Sequence, residues 1–230
     1  MQLPALLFDL DGTLIDSACD IARALSMIRE DRGGMPIDPS SVRRLVSHGV
    51  DMVVCEGLGA YCRDVAADVV IFREVLRGLA PDPATIYPGV VDALTGFATA
   101  GHRMAIVTNK PEALSRGLLD ALGLARYFGA IVGGDTTPCP KPDPTPLRLA
   151  LAAINVGADA AMLIGDSDVD AAAAKACGVP FLLYEAGYGA EACLPGDVHA
   201  RFAHFGELDA LITAFAGAAR TTSTRLSKGC

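Results

Sequence analysis

Four continuous apolar runs, separated by segments with helical periodicity, constrain the fold of this chain more than any other feature of its sequence. The runs are 5–10, 102–108, 161–166 and 179–184, with a weaker one at 130–132. Hydrophobicity that is continuous rather than alternating indicates strands covered on both faces, as in a parallel sheet flanked by helices. The sequence therefore predicts an α/β fold with a doubly wound, Rossmann-like parallel sheet.

Two of the segments between these runs have the composition expected of helices. One begins at Pro111 and closes on Gly123, and the other begins at Asp143, with Pro144 next, and closes on Gly157. Proline near the start and glycine at the end is the usual asymmetry of helix termini. We therefore expect strands and helices to alternate along most of the chain.

Residues 17–85 break this alternation. They contain no convincing strand, and amphipathic spacing recurs in DIARALSMIRE, SVRRLVSHGVDMVVCEGL and YCRDVAADVVIFREVL. We therefore expect 17–85 to be an α-helical cap domain, inserted into a core domain made of 1–16 and 86–217. The hinges are predicted near Asp16 and within the cluster of Pro81, Pro83 and Pro88. The remaining 218–230 lack periodicity and are predicted to be a frayed tail.

Composition and charge exclude several classes of function. Hydrophobic residues make up 51% of the 230 residues and charged residues 20%, which is typical of a packed globular protein. The net charge of -8 disfavours nucleic acid as a partner, because such binding depends on clustered lysine and arginine. No apolar run approaches the roughly 18 residues of a membrane span, so no membrane partner is expected.

The seven cysteines and the N-terminus bear on the compartment. The cysteines are odd in number, scattered and never in a CxxC pair, as is typical of reduced thiols rather than of a disulfide framework or zinc site. The first residues, MQLPALLFDLDG, lack the basic leader and apolar core of a signal peptide. We expect a cytoplasmic protein, either a monomer or a homodimer.

Polar residues stand where the predicted strands end. Asp9 ends the first run, Thr108 and Asn109 end the second, and Asp166 ends the third. In a parallel sheet these strand ends lie along one edge, where open α/β sheets bind their ligands. Lys141, in the turn-rich CPKPDP, precedes a predicted helix and is expected to join them.

The stretch FDLDGTLIDS holds two acids, Asp9 and Asp11, two residues apart. A regular strand would point them to opposite faces, so they can act together only if the chain turns at about Asp9. Gly12 permits such a turn and would leave several backbone amides free nearby. The stretch therefore predicts two carboxylates close to one anion-binding turn.

Acids held close together repel one another unless a cation lies between them. A hard divalent ion such as Mg²⁺ prefers oxygen ligands and keeps water or phosphate oxygens in its shell. Asp166 closes a strand, and Asp170 lies four residues on, so a helix beginning there would return it to the same side. We therefore expect Mg²⁺ as cofactor, with Asp166 on the metal and Asp170 beside it or one shell out.

This set of residues suits phosphoryl transfer through an aspartate. Asp9 would attack phosphorus to form an aspartyl phosphate, and Asp11 would serve as acid and then as base. The phosphoryl oxygens would be held by Thr108, by Lys141 and by the backbone amides around Gly12 and Asn109.

The motifs DLDGTLIDS, IVTN, KPDP and GDSDVD, in this order, resemble those of the haloacid dehalogenase superfamily along nearly the whole chain. The resemblance is to its phosphatase branch, in which a helical cap follows the first motif. It implies Asp9 as nucleophile, Asp11 as acid and base, and Mg²⁺ bound by Asp9, the Asp11 carbonyl and Asp166, with Asp170 in support. PGVVDAL and RRLVSHGVDMVV are similar to the phosphoglycolate phosphatase group, which implies 2-phosphoglycolate as substrate.

The cap offers candidates for binding the rest of a small phosphorylated metabolite. His48 and Gly49 are predicted either to contact the substrate or to separate two cap helices. Arg43 and Arg44 have the composition of a solvated helix face, yet a phosphorylated carboxylic acid needs a further cation, and arginine suits a carboxylate. Both interpretations of each pair stay open from the sequence.

Two further patterns have simple structural interpretations. Ser167 and Asp168 are expected to cap the helix that follows them. Three small residues, Gly187, Gly189 and Ala192, fit the dinucleotide pattern GxGxxA, but no acidic residue follows at the required spacing, so a glycine-rich loop is favoured.

The sequence leaves alternative functions. A sugar phosphatase, or a β-phosphoglucomutase-like phosphotransferase, would share all four motifs and differ in how the cap shields the aspartyl phosphate from water. A carbon–phosphorus hydrolase of this superfamily uses a cap lysine, whereas Lys110 is the first lysine here. A haloacid dehalogenase would lack Asp11. A non-catalytic phosphate-binding module is expected to lose its acids, and all of them are present.

Overall fold

The computed structural model describes residues 3–46 and 49–215, and its centre is one parallel sheet of six strands. The strand order is β3-β2-β1-β4-β5-β6. The strands are Ala5–Phe8 (β1), Met104–Val107 (β2), Ala130–Val132 (β3), Ala161–Gly165 (β4), Phe181–Tyr184 (β5) and Ala200–Phe202 (β6). From β1 the chain winds first to one edge and then to the other, so the predicted doubly wound fold is confirmed.

The continuous apolar runs are explained by burial on both faces of the sheet. Every side chain of β1, β2, β4 and β5 is buried. Within β1, Leu6 and Phe8 pack into one hydrophobic cluster, and Ala5 and Leu7 pack into another on the opposite face. A strand with a solvent-facing side would alternate apolar and polar residues, which these strands do not.

Eight α-helices lie entirely within the described ranges. They are Ala18–Asp31 (α1), Pro39–Arg43 (α2), Val50–Leu58 (α3), Val65–Gly78 (α4), Val90–Ala100 (α5), Glu112–Ala121 (α6), Thr145–Ala153 (α7) and Asp168–Cys177 (α8). Residues 208–215 are also helical. The helices predicted after Pro111 and Asp143 correspond to α6 and α7.

Helices α1 to α4 all lie between β1 and β2 in the chain, and we call them the helical insertion. Helix α1 packs against the other three. The insertion has a hydrophobic cluster of its own, which includes Leu25, Val54, Leu58 and Phe72. Its amphipathic sequence pattern thus reflects burial within the insertion.

The chain leaves and re-enters the sheet region at neighbouring points. Ile15 and Ile86 form an antiparallel bridge, and the Asp16 backbone N–H donates to the Thr85 carbonyl over 2.7 Å. These contacts lie beside the predicted hinge positions. The exact division into 1–16 plus 86–217 and 17–85 remains a prediction.

The structure differs from the sequence-based expectation in its strand ends. The apolar run 5–10 forms a strand only as far as Phe8, and the run 102–108 begins its strand at Met104. Strand β6 was not predicted; of its three residues only Phe202 is buried. The predicted tail 218–230 lies outside the described residues.

Candidate active site

Three of the predicted site residues directly follow neighbouring strands of the sheet. Asp9 follows β1, Thr108 follows β2 and Asp166 follows β4. Strands β1 and β4 are adjacent and parallel, with Leu6 paired with Met162 and Phe8 with Ile164, and the winding of the chain reverses between them. Open α/β sheets bind ligands at the carboxyl ends of the strands where the order reverses.

The chain turns directly after Asp9, as the sequence predicts. Gly12 has a φ of +87°, as the predicted turn requires. The expectation of free amides here is wrong for Gly12 and Thr13, because the turn uses both: the Gly12 N–H donates to the Ile15 carbonyl over 2.8 Å and the Thr13 N–H to the Leu10 carbonyl over 3.3 Å. A Cβ atom at Gly12 would lie only 2.4 Å from Oδ2 of Asp166. Glycine is therefore required both by the backbone conformation and by the close approach of this turn to Asp166.

Three buried carboxylates form a cluster. Asp9, Asp166 and Asp170 each offer an oxygen atom, and these atoms all lie within 4.8 Å of one another. Burial, opposed by Lys141 and reinforced by Asp170, raises the pKa of Asp9 to about 7. Burial and the charge of Asp9 also raise the pKa of Asp166. Buried oxygen donors that repel one another fit a hard divalent cation.

Lys141 lies against this cluster. Its Nζ atom donates to Oδ1 of Asp9 over 2.7 Å, to Oδ1 of Asp170 over 2.6 Å and to the Val107 carbonyl over 2.7 Å. Burial alone would lower the pKa of Lys141, but the charges of Asp170 and Asp9 outweigh it and raise that pKa. The ammonium group is therefore held charged beside the cluster.

Asn109 fixes the backbone of Lys141. The Asn109 side chain donates to the Lys141 carbonyl and accepts from the Lys141 N–H, each over 2.9 Å. Thr108 and Asn109 line a small cleft together with Asp9 and Lys141. The predicted phosphate-binding residues are thus brought to the same place as the carboxylates.

The side chain of Asp11 lies outside the three-carboxylate cluster. Nζ of Lys110 contacts both of its oxygen atoms at 3.1 Å, and the Ser17 hydroxyl donates to Oδ1. The side chains of Lys110 and Asp11 are each 8% exposed, so this is a buried ion pair. Sequence reasoning missed Lys110 as a site residue, although it directly follows the motif that ends in Asn109.

Asp166 is held by residues from two distant parts of the chain. Its Oδ1 accepts from the Thr13 hydroxyl over 2.9 Å, and its Oδ2 accepts from the Tyr188 N–H over 2.7 Å. The predicted glycine-rich loop contributes to this packing, because a Cβ at Gly187 would lie 2.2 Å from the Asp166 Cβ. The pattern that includes Gly187 and Gly189 therefore has a packing explanation.

Helix α8 begins with the predicted cap at Ser167, whereas Asp168 is the first residue of the helix and the second capping residue is Asp170. The Ser167 hydroxyl and the Asp170 carboxylate form a capping box, in which each side chain accepts from the backbone N–H of the other residue. The same Asp170 carboxylate accepts from Lys141. Asp170 thus both caps α8 and belongs to the carboxylate cluster.

The residues of the predicted cap domain that were candidates for substrate binding have different surroundings. Arg43 donates to Asp16 over 2.8 Å and lies over the Tyr188 ring, while Arg44 is exposed at the end of α2. Gly49 precedes α3 and lines a cavity with Asn109 and Lys141. His48 lies outside the described residues.

Comparisons with known proteins agree with this fold. Residues 3–178 match the family model described as haloacid dehalogenase-like hydrolase. Phosphoglycolate phosphatase of Rhodospirillum rubrum is 39% identical over 196 residues, which cover 81% of each chain. Phosphoglycolate phosphatase of Mesorhizobium japonicum is 36% identical over 193 residues, which cover 82% of this chain and 85% of the relative.

Solved structures show the same fold. A crystal structure of CbbY from Rhodobacter sphaeroides in complex with phosphate has a TM-score of 0.75 and 25% identity, and the match covers 90% of this chain and 96% of that one. A predicted phosphoglycolate phosphatase from Haemophilus somnus has a TM-score of 0.80 at 22% identity, with 92% and 98% covered.

The fold, the strand-end aspartates and these matches together define the class of protein, a hydrolase of phosphate esters with a doubly wound α/β fold. The chain belongs to the haloacid dehalogenase-like hydrolase family, and within it this protein is a phosphatase. Among the described helices, none combines the length and apolar character that crossing a membrane requires.

Proposed function

We propose that this protein is a Mg²⁺-dependent phosphatase that hydrolyses 2-phosphoglycolate through a phosphorylated Asp9. The observation that carries the proposal is the position of the Asp9 carboxylate, which lies within 2.7 Å of Lys141 and in a cluster with Asp166 and Asp170. The names of the relatives support the substrate.

The donor set fits the proposed metal. Asp9, Asp166 and Asp170 supply buried carboxylate oxygens at one point, and the family resemblance adds the Asp11 carbonyl. When bound there, Mg²⁺ would offset the charge of the carboxylates and of the substrate phosphate.

In the proposed first step, a carboxylate oxygen of Asp9 attacks phosphorus and the bond from phosphorus to the ester oxygen breaks. The departing alkoxide takes a proton from Asp11. Lys141, Thr108 and Asn109 hold the phosphoryl oxygens as charge develops on them. Asp9 then carries the phosphoryl group.

In the second step, Asp11 takes a proton from a water molecule that attacks the same phosphorus. The bond between Asp9 and phosphorus breaks, which releases inorganic phosphate and restores both aspartates. Lys110 and Ser17 contact the Asp11 carboxylate and hold it in position for both transfers.

The helical insertion is proposed to act as the cap, with 17–85 closing over 1–16 and 86–217. Gly49, which precedes α3, and Val50 line a cavity that Lys141 also lines. Closure would exclude bulk water from the cleft during the first step and determine which leaving groups fit.

The proposed setting is the cytoplasm, with the protein acting as a monomer or homodimer on a small phosphorylated metabolite. In support, each of the six cysteines within the described ranges is a free thiol, as expected in a reducing compartment.

The test is phosphate release from 2-phosphoglycolate by the purified protein with Mg²⁺, compared with the Asp9→Asn variant. We expect turnover by the wild type and none above background by the variant, with both retaining the same circular dichroism spectrum. Full activity of Asp9→Asn would contradict the mechanism. A hexose monophosphate that is isomerised in the presence of its bisphosphate, without net phosphate release, would instead favour the mutase alternative.

A further inference from the structure

Arg73, on helix α4, has an unusual position for a cation. Its Nε atom is buried and has no hydrogen-bond partner. The ion pairs found within 3–46 and 49–215 do not include Arg73. Buried polar nitrogen atoms in folded proteins nearly always have a partner, so one without a partner calls for an explanation.

The Arg73 side chain lines a cavity beside the proposed catalytic cleft. The cavity has a volume of about 400 Å³ and is lined by Gly49, Val50 and Arg73 of the helical insertion, and by Asn109, Lys141 and Val169 from the other side. Asn109, Lys141 and Val169 also line the small cleft that contains Asp9. A molecule that places its phosphate at Asp9 can therefore extend toward Arg73.

The other cations near the cleft already have anionic partners. Lys141 contacts Asp9 and Asp170, and Lys110 contacts Asp11. Arg43 contacts Asp16. Arg73 differs from these residues because its charge is available to a ligand.

A second arginine with a buried Nε atom provides a comparison. Arg29 also lacks a partner for Nε, but its Nη1 donates to the Gly57 carbonyl over 3.5 Å, and its guanidinium lies 5.4 Å from the centre of the Tyr61 ring. Arg29 thus packs within the helical insertion, whereas Arg73 lines the cavity next to the cleft.

We infer that Arg73 binds a carboxylate on the leaving-group side of the substrate and thereby selects small phosphorylated carboxylic acids. This inference rests on the proposed function. A guanidinium forms paired hydrogen bonds with a carboxylate. Asp51 and Asp135 also line the cavity, and their charges disfavour a doubly charged second phosphate more than a singly charged carboxylate.

The test compares two esters that differ in this group, 2-phosphoglycolate and 2-hydroxyethyl phosphate. Arg73→Met is expected to lower kcat/KM for 2-phosphoglycolate at least about 30-fold, because a hydrogen-bonded charge is lost. The same variant is expected to hydrolyse 2-hydroxyethyl phosphate within about threefold of the wild-type rate, which also shows that it folds.

Arg77→Met is the matched control, because Arg77 lies one turn further along α4 and is exposed. Arg77→Met should leave the rates of hydrolysis of both esters unchanged. An equal loss on both esters, or no loss on either, would overturn the role of Arg73. A wild-type preference for 1,3-propanediol bisphosphate that Arg73→Met removes would overturn the assignment to a carboxylate. Failure of the wild type to hydrolyse any of these esters would refute the proposed function, and this inference with it.

Discussion

Nζ of Lys141 lies 2.7 Å from Oδ1 of Asp9, although 132 residues separate the two in the chain. Both side chains are buried, at 3% and 8% exposure, so each depends on the other for compensation of its charge. A buried charge without a partner is strongly unfavourable.

Replacing this lysine should therefore impair catalysis. Lys141→Met is expected to lower kcat on a phosphate ester by at least about 100-fold, because a donor to the developing charge is lost. Steady-state kinetics would measure the change. Lys175→Met serves as control, since the Lys175 side chain is 72% exposed and should leave kcat unaltered. A Lys141→Met enzyme with nearly wild-type kcat would contradict the proposed role.

Removal of the metal should abolish activity, and added Mg²⁺ should restore it. Asp166→Asn is expected to raise the Mg²⁺ concentration needed for half-maximal activity at least about tenfold, because a charged oxygen ligand is lost. Titration of activity with Mg²⁺ measures this shift. Asp168→Asn, a change at the first residue of α8 and outside the carboxylate cluster, should leave the titration unchanged. Equal titrations for both variants would argue against Asp166 as a ligand.

The turn after Asp9 should not tolerate a larger residue. Gly12→Ala introduces a Cβ that would lie 2.4 Å from Oδ2 of Asp166, at a φ of +87° that alanine rarely adopts. We expect a loss of activity and a lower unfolding temperature, measured by kinetics and thermal denaturation. Gly96→Ala is the control: this exposed glycine of α5 has open space around it, and the change should stabilise by about 0.5–1 kcal/mol. Normal activity of Gly12→Ala would show that the turn adapts.

The ion pair between Arg32 and Asp68 should make stability depend on pH. The hydrogen bond from Arg32, opposed by burial, holds the pKa of Asp68 well below its usual range. Because the pKa of Asp68 is lower in the folded state, its charge stabilises the protein fully at pH values above the unfolded-state pKa of about 3.9. This stabilisation is lost as the pH falls toward the folded-state pKa. The difference in unfolding free energy between wild type and Asp68→Asn should be constant from about pH 5 to 8 and shrink below about pH 4.

The size of this difference can be tested by urea denaturation. Asp68→Asn is expected to cost about 3 kcal/mol at neutral pH, because it leaves the Arg32 charge buried and unpaired. Lys175→Gln, which removes an exposed ion pair with Asp197, should change stability by less than about 1 kcal/mol. A difference that stays constant down to pH 2 would show that the charge of Asp68 is not responsible.

The sheet could be predicted from the sequence because its strands are buried on both faces. The continuous apolar character of 161–166 identifies β4, and Asp166 marks its end. Strand β6 gave no such signal, since Ala200 and Arg201 are not buried and only Phe202 is. A short edge strand is defined by pairing with its neighbour, here with Leu182 to Tyr184 of β5, rather than by its own composition.

Site residues that lie at strand ends could be predicted from the sequence. Site residues whose surroundings depend on how distant segments pack together could not. Asp9 and Asp166 follow from their strands. Arg73 has the same sequence context as a solvated helix residue, and only its position beside the cavity next to the cleft gives it a special environment. Lys110 likewise depends on the course of the loop that brings it to Asp11.

The bridge between Ile15 and Ile86 means that the helical insertion is attached through two chain segments that run side by side. A segment inserted between these two points has its ends held next to each other, whatever the length of the segment. A different module could therefore be grafted at this junction without stretching or reordering the six strands. A change of substrate specificity in such an architecture requires replacement of only one contiguous segment, the helical insertion. The residues at the sheet edge that act on the phosphate group would stay the same.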